Sequence, residues 1–124
     1  IERTKDGKNF TFNICLNYGG KAEIVRAAKL FAQDVKDNKC DIDDLDETKF
    51  EDYLYTRGLP PVDLLIRTSG EQRTSNYLPW QLAYAEFIFT KTPWPDFTKE
   101  ELHKCLDEFN NRSRRFGGIK ENEK

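Results

Sequence analysis

The sequence lacks methionine altogether, has a single histidine, His103, and has three cysteines in 124 residues. It begins at Ile1, so the expectation is a processed, trimmed or partial chain, a piece of a larger domain. No apolar run approaches the ~18 residues that a membrane-spanning helix requires. An excess of one charge is missing too: 20 Lys+Arg stand against 22 Asp+Glu, a net charge of −2. That excludes nucleic-acid binding through a bulk basic face. Cys15, Cys40 and Cys105 form no C-x-x-C pair, and His103 completes no finger spacing, so zinc is not expected. The thiols read as reduced, with Cys15 and Cys105 buried, as in a cytoplasmic protein. What is present argues for order: 13% of residues are aromatic, and the apolar spacing is regular.

Residues 10–16 (FTFNICL) are aromatic and β-branched and read as a strand. Asn17-Tyr18-Gly19-Gly20 breaks it. From Lys21 the spacing of Ile24, Ala27/Ala28, Phe31 and Val35 is that of an amphipathic helix fading by Asn38. Residues 41–52 hold seven acids and one lysine. The run lacks the central glycine of a calcium loop, so it reads as a solvated acidic loop leading into a short helix around Phe50, Tyr53 and Leu54. Residues 62–66 (VDLLI) predict a buried strand, 67–76 (RTSGEQRTSN) a polar loop, 80–86 a helix and 87–90 (FIFT) a third strand. Thr98 and Glu101 have capping-box spacing for a last helix carrying Leu102, Cys105, Leu106 and Phe109. Gly117-Gly118 predicts its stop, and 119–124 a frayed tail. Strands alternating with helices give an α/β fold, part of an open, mostly parallel sheet flanked by helices. Three strands alone leave an unprotected edge, so further strands or a partner chain are expected.

Ligands of open α/β sheets bind outside the carboxyl ends of the strands. Two loops leave such ends, 17–21 and 67–76. The second has the makings of an anion site. Arg67 and Arg73 can form bidentate bonds to phosphate, Ser69 and Ser75 add hydroxyls, and Gly70 lets the backbone aim its amides at a ligand. It matches neither a Walker A loop nor G-x-G-x-x-G. Glu86, closing an apolar stretch, is either a surface carboxylate or a metal ligand. Arg112, Arg114 and Arg115 either complement a helix C-terminus or reach a phosphate.

Taken together, Asn17-Tyr18-Gly19-Gly20-Lys21-x-Glu23-Ile24, the run from Asp63 to Asn76 (DLLIRTSGEQRTSN), Trp80-Gln81-x-Ala83-Tyr84-x-Glu86, Trp94-Pro95-Asp96-Phe97 and Arg114-Arg115-Phe116-Gly117-Gly118 resemble the C-terminal half of a cis-prenyltransferase of the undecaprenyl diphosphate synthase type. The resemblance covers nearly the whole chain, and implies that residues 1–124 are the C-terminal portion of a single domain lacking its N-terminal strands. It implies condensation of isopentenyl diphosphate with an allylic diphosphate such as farnesyl diphosphate, giving a long-chain cis-polyprenyl diphosphate. Mg²⁺ is the implied cofactor. Arg67, Arg73 and Ser75 match residues that hold isopentenyl diphosphate, with Asn17, Lys21, Ser69 and Glu71 as a secondary set, and Glu86 matches a Mg²⁺ ligand. Arg115 and Gly117 match an R-x-G element reaching across a homodimer toward the partner's diphosphate. Trp80 is expected to pack rather than touch substrate. Peripheral membrane contact through a lipid product is a further implication.

Three departures from the family pattern bear on these expectations. Lys21 replaces an arginine, keeping the charge but losing the planar fork. Pro79 stands where an apolar residue is usual. The N-terminal Asp-Gly-Asn-Gly-Arg motif, which supplies the catalytic aspartate, does not occur in this chain. The resemblance places that aspartate upstream of Ile1, so residues 1–124 alone are expected to be inactive. An alternative reading is a noncatalytic binding subunit of a heteromeric enzyme, though such subunits are typically degenerate at the arginine motif. A generic phosphate-binding module would leave Trp94-Pro95-Asp96-Phe97 and the R-F-G-G ending unexplained.

Overall fold

The computed structural model describes Arg3 and residues 5–112. Ile1, before which the missing strands are expected, and the tail 119–124 lie outside the described residues. Helix α1 runs Gly20–Lys36 and closes on Asp37, whose N–H donates to the Gln33 carbonyl, while the Asn38 N–H donates to that of Val35. Its buried stripe is Gly20, Glu23, Ala27 and Phe31, the i, i+3/i+4 spacing of one helical face. Burial of a side chain such as Phe31 contributes about 1.5–3 kcal/mol.

The acidic stretch is spent on capping. The Asp41 carboxylate accepts from the Asp43 N–H at the start of a 3₁₀ turn, Ile42–Asp44. Asp46 caps α2, Glu47–Glu51, through the Lys49 N–H at 2.7 Å. These short side chains satisfy donors that a helix start leaves orphaned. The segment after α2 lies against α1. Tyr53 donates its hydroxyl to Asp34 at 3.1 Å, its ring meets Phe31 edge-on at 5.7 Å, and Arg26 sits 4.4 Å from the Tyr55 ring centroid.

Strands β1, Leu64–Arg67, and β2, Glu86–Phe89, pair in parallel, with Leu64 opposite Glu86 and Arg67 opposite Phe89. Further bonds join the segments beyond the strand ends. The Ser69 N–H donates to the Thr92 carbonyl and the Gly70 N–H to the Thr90 carbonyl, at 3.0 and 2.8 Å. Helix α3, Lys99–Asn111, begins at Thr98, whose hydroxyl accepts from the Glu101 N–H. It buries Cys105. The fold is α/β, a small parallel sheet with helices.

Three expectations change. Residues 10–16 form no strand: they have no regular structure and are exposed, with Phe10 at 81% and Leu16 at 82%. β propensity cannot replace a neighbour for the N–H and C=O groups, and none is supplied among the described residues. Two strands therefore stand where three were expected. Cys15, carried by that segment, is exposed rather than buried. Finally, residues 79–84 form tight turns, not a helix. The Glu86 N–H must reach the Asp63 carbonyl at 2.9 Å, which starts β2 too soon after Pro79 for a stretch this short to hold a stable helix.

Candidate functional site

Arg67 ends β1 and organises the loop that follows. Its Nη1 donates to the Ser75 hydroxyl at 3.0 Å and to the Arg73 carbonyl. The chain from 68 to 75 is thus wrapped around one guanidinium, and Arg73 and Ser75 return to Arg67. Ser69, Gly70, Ser75 and Asn76 all have positive φ, the region that turns a backbone sharply. Arg73 pairs with Glu71 across an exposed surface. Such a pair is screened by water and weakly held, so Arg73 can exchange Glu71 for another anion. The amides of Ser69 and Gly70 do not face a ligand as expected. The carbonyls of Thr92 and Thr90, in the segment that follows β2, already take them.

The two loops converge, and Asn76 joins them. Its backbone carbonyl accepts from the Gly20 N–H and its Oδ1 from the Lys21 N–H, both at 2.8 Å. Gly19 at the N-cap offers no side chain, so Asn76 caps α1 from another loop. This places Lys21 next to the Arg67 loop, and its exposed side chain adds positive charge on that side. Gly20 permits the approach. A Cβ there would stand 1.9 Å from Pro79 Cδ. The departure at Pro79 thus has a packing role.

Asn17 also has positive φ, 51°, and leads into Tyr18, whose hydroxyl donates to Glu23. Glu23 is the residue that the sequence reading passed over. Only 1% exposed, its carboxylate also accepts from the Tyr55 N–H at 2.7 Å and from Gln81 Nε2 at 3.2 Å. Burial, then the Glu23 hydrogen bond and charge, hold the Tyr18 phenol well above its usual range. The available signal was its position one and two α-turns before Ala27 and Phe31, on the buried face. Asn76 was likewise quoted within a motif but given no role. The Trp80 ring centroid is 4.8 Å from that of Phe50, and its Nε1 donates to Glu51 at 3.2 Å.

A cavity of about 1060 Å³ opens beside residues 13–18, walled opposite by Leu54, Pro60, Val62 and Trp80. Arg67, Arg73, Ser75 and Glu86 do not line it.

Glu86 lies elsewhere. It starts β2 opposite Leu64, whereas Arg67 ends β1. Three residue steps separate those levels, about 10 Å along a strand. Alternation also puts Glu86 and Arg67 on opposite faces of the sheet. Glu86 Oε2 accepts from Arg112 Nη1 at 2.9 Å. Arg112 also bonds Glu108 and the Phe87 carbonyl, and Glu108 followed by Glu86 keeps the guanidinium pKa above its ordinary value. Among the described residues no group of three or more His, Cys, Asp or Glu side chains could hold a metal. Glu86 and the Arg67 loop of this chain thus stand at opposite ends and on opposite faces of the strand pair. Arg114, Arg115 and Gly117 lie outside the described residues, as does Ile1, the reference point for the family's catalytic aspartate.

The family description "Putative undecaprenyl diphosphate synthase" matches residues 1–117. An isoprenyl transferase of Clostridium perfringens is 53% identical over 120 residues, covering 97% of this chain and 47% of that protein. A ditrans,polycis-undecaprenyl-diphosphate synthase of Micrococcus luteus, (2E,6E)-farnesyl-diphosphate specific, is 47% identical over 118 residues, covering 95% of this chain and 47% of its own length. Among solved structures, lavandulyl diphosphate synthase from Lavandula x intermedia, in complex with dimethylallyl diphosphate, superposes with a TM-score of 0.80 at 43% identity. That match covers 83% of this chain and 44% of the plant enzyme. The chain thus spans about half the length of the curated relatives it matches. With the match reaching across both converging loops, the chain belongs to the undecaprenyl diphosphate synthase family of prenyltransferases.

Proposed function

We propose that residues 67–76 form the isopentenyl diphosphate site of a cis-prenyltransferase that joins this unit to an allylic diphosphate, farnesyl diphosphate among the candidates, to make a long-chain cis-polyprenyl diphosphate. The observation that carries the reading is the Arg67 Nη1–Ser75 Oγ bond at 3.0 Å, which folds Arg73 and Ser75 back toward Arg67. A diphosphate needs several strong donors held in fixed places. Arg67 supplies a guanidinium whose loop is already folded around it. Arg73 supplies a second by releasing Glu71. Ser75 supplies a hydroxyl, and Lys21 a charge on the adjoining loop. These residues bind and orient; no bond-breaking step is assigned to them.

The family motif with the catalytic aspartate is not among residues 1–124, and the resemblance puts it upstream of Ile1, so we infer that this segment binds without turning over. The C-terminal position within one domain, the homodimer, and the reach of Arg115 and Gly117 toward a partner's diphosphate belong to the same proposal and rest on the family resemblance. Titration calorimetry with isopentenyl diphosphate tests the site. Arg67→Ala and Arg73→Ala should each weaken binding at least tenfold; unchanged affinity in both would sink the assignment. Elongation of farnesyl diphosphate by purified 1–124 with Mg²⁺ would overturn the inference of inactivity.

A further inference from the structure

Arg112 is the last residue described, at the carboxyl end of α3, and three groups converge on it. Glu86 Oε2 and the Phe87 carbonyl accept from Nη1 at 2.9 and 3.0 Å, and Glu108, one turn back on the helix, accepts from Nη2. A guanidinium has five donors in a rigid plane and suits a site with acceptors on two sides. One side is the first residues of β2; the other is the last turn of α3. Within each partner the spacing is set by secondary structure, since Arg112 is the C-cap of α3, four residues after Glu108, and Glu86 and Phe87 are successive strand residues. Both members of the Glu86–Arg112 pair are about two-thirds buried, their side chains 31% exposed. Glu86 therefore already has a cationic partner, at the opposite end and on the opposite face of the strands from Arg67.

We propose that Glu86, Arg112 and Glu108 form an ionic clasp that docks the last turn of α3 onto the amino-terminal end of β2. Glu86 is a positioning residue of this clasp, not a metal ligand for the Arg67 loop of the same chain. The clasp fixes the place of Arg112, the residue that closes α3, against the start of β2. It stands whether or not the 67–76 loop binds isopentenyl diphosphate.

The test uses the chain as it is, with Glu86→Gln, Arg112→Met, Arg112→Lys and Glu108→Gln, and two readouts. The first is amide hydrogen exchange in residues 108–112 without ligand. Glu86→Gln and Arg112→Met should each speed exchange there at least fivefold. Arg112→Lys, which keeps the charge but cannot span three acceptors, should fall between them and the wild type. The second is isopentenyl diphosphate affinity with and without Mg²⁺. In Glu86→Gln the Mg²⁺-dependent change should stay within twofold of wild type. The clasp is overturned by unchanged exchange in Glu86→Gln. The ligand assignment returns if Glu86→Gln loses tenfold or more in affinity only when Mg²⁺ is present while Arg112→Met does not. Glu108→Gln, altered on the exposed side of the clasp, supplies the exchange measurement if a Glu86 variant does not fold. If the wild type binds no isopentenyl diphosphate, the proposed function falls and the exchange data alone judge the clasp.

Discussion

At the scale of single residues, Glu23 holds the most at stake. Its carboxylate gathers a phenol, a backbone amide and a side-chain amide from three separate stretches of chain. Removing it strands those donors inside the protein, and an unsatisfied buried donor costs about 1–3 kcal/mol. Glu23→Ala is expected to lower the urea midpoint by an amount corresponding to at least one such loss, and Glu23→Gln by less. Tyr53 gives a pH signature. Burial and the Asp34 carboxylate push its phenol up to about 12, against ~10 in an unfolded chain. Between those values the folded form keeps a proton that the unfolded form has shed. Stability is therefore fully present below pH ~10 and drains away as pH climbs toward 12. Urea midpoints across that window should fall in the wild type, and the fall should be shallower in Tyr53→Phe.

At the scale of elements, α1 depends on a residue 55 positions away for its first free amides. Asn76→Ala removes the acceptor for the Lys21 N–H, and a lost cap costs about 0.5–2 kcal/mol. It also puts alanine at φ 65°, a further ~1 kcal/mol. Asn76→Gly relieves the second cost but not the first, so its melting temperature should lie between those of Asn76→Ala and wild type. The Lys21 amide should exchange faster in both.

Elements whose reasons are local were legible in the sequence. The 3.6-residue stripe of α1, the Thr98 cap of α3 and the apolar runs of β1 and β2 all appear near their expected places. Residues 10–16 misled because their alternation records a strand face, and a face forms a strand only beside a neighbour. The 80–86 stretch misled because its residues suit a helix and its length does not. The site was half legible. Arg67, Arg73 and Ser75 announced themselves by residue type, and the structure brings them together. Glu23 and Asn76 act through partners 32 and 55 residues distant, which no local pattern encodes. Glu86 looked like a lone carboxylate because its partner, Arg112, is 26 residues away.

At the scale of the whole molecule, the 20 positive and 22 negative side chains are unevenly spread. Arg67, Arg73 and Lys21 gather on the converging loops, while much of the acid lies in the capping stretch after α1. Near-neutrality overall thus coexists with a local gathering of positive charge on the converging loops. The larger feature is the row Phe10, Phe12, Ile14 and Leu16, every one exposed. Amides without ladder partners exchange freely, so those of 10–16 should exchange within a few-fold of unstructured peptide rates, while those of β1 and β2 are protected. Protection of 10–16 equal to that of β1 would show that this segment is paired in solution.

The contact between Gly20 and Pro79 has a historical consequence. With Pro79 in place, a side chain at position 20 collides with its ring, and overpacking of this kind costs about 1–3 kcal/mol. With a smaller residue at 79, most of that collision disappears, and alanine at a helical position outperforms glycine by roughly 0.5–1 kcal/mol. The two substitutions therefore do not commute. Taken with position 20 first, the route descends through a destabilised intermediate; taken with position 79 first, it avoids that collision. One ring against one hydrogen atom makes the order of change, and not only its content, a property that the fold enforces.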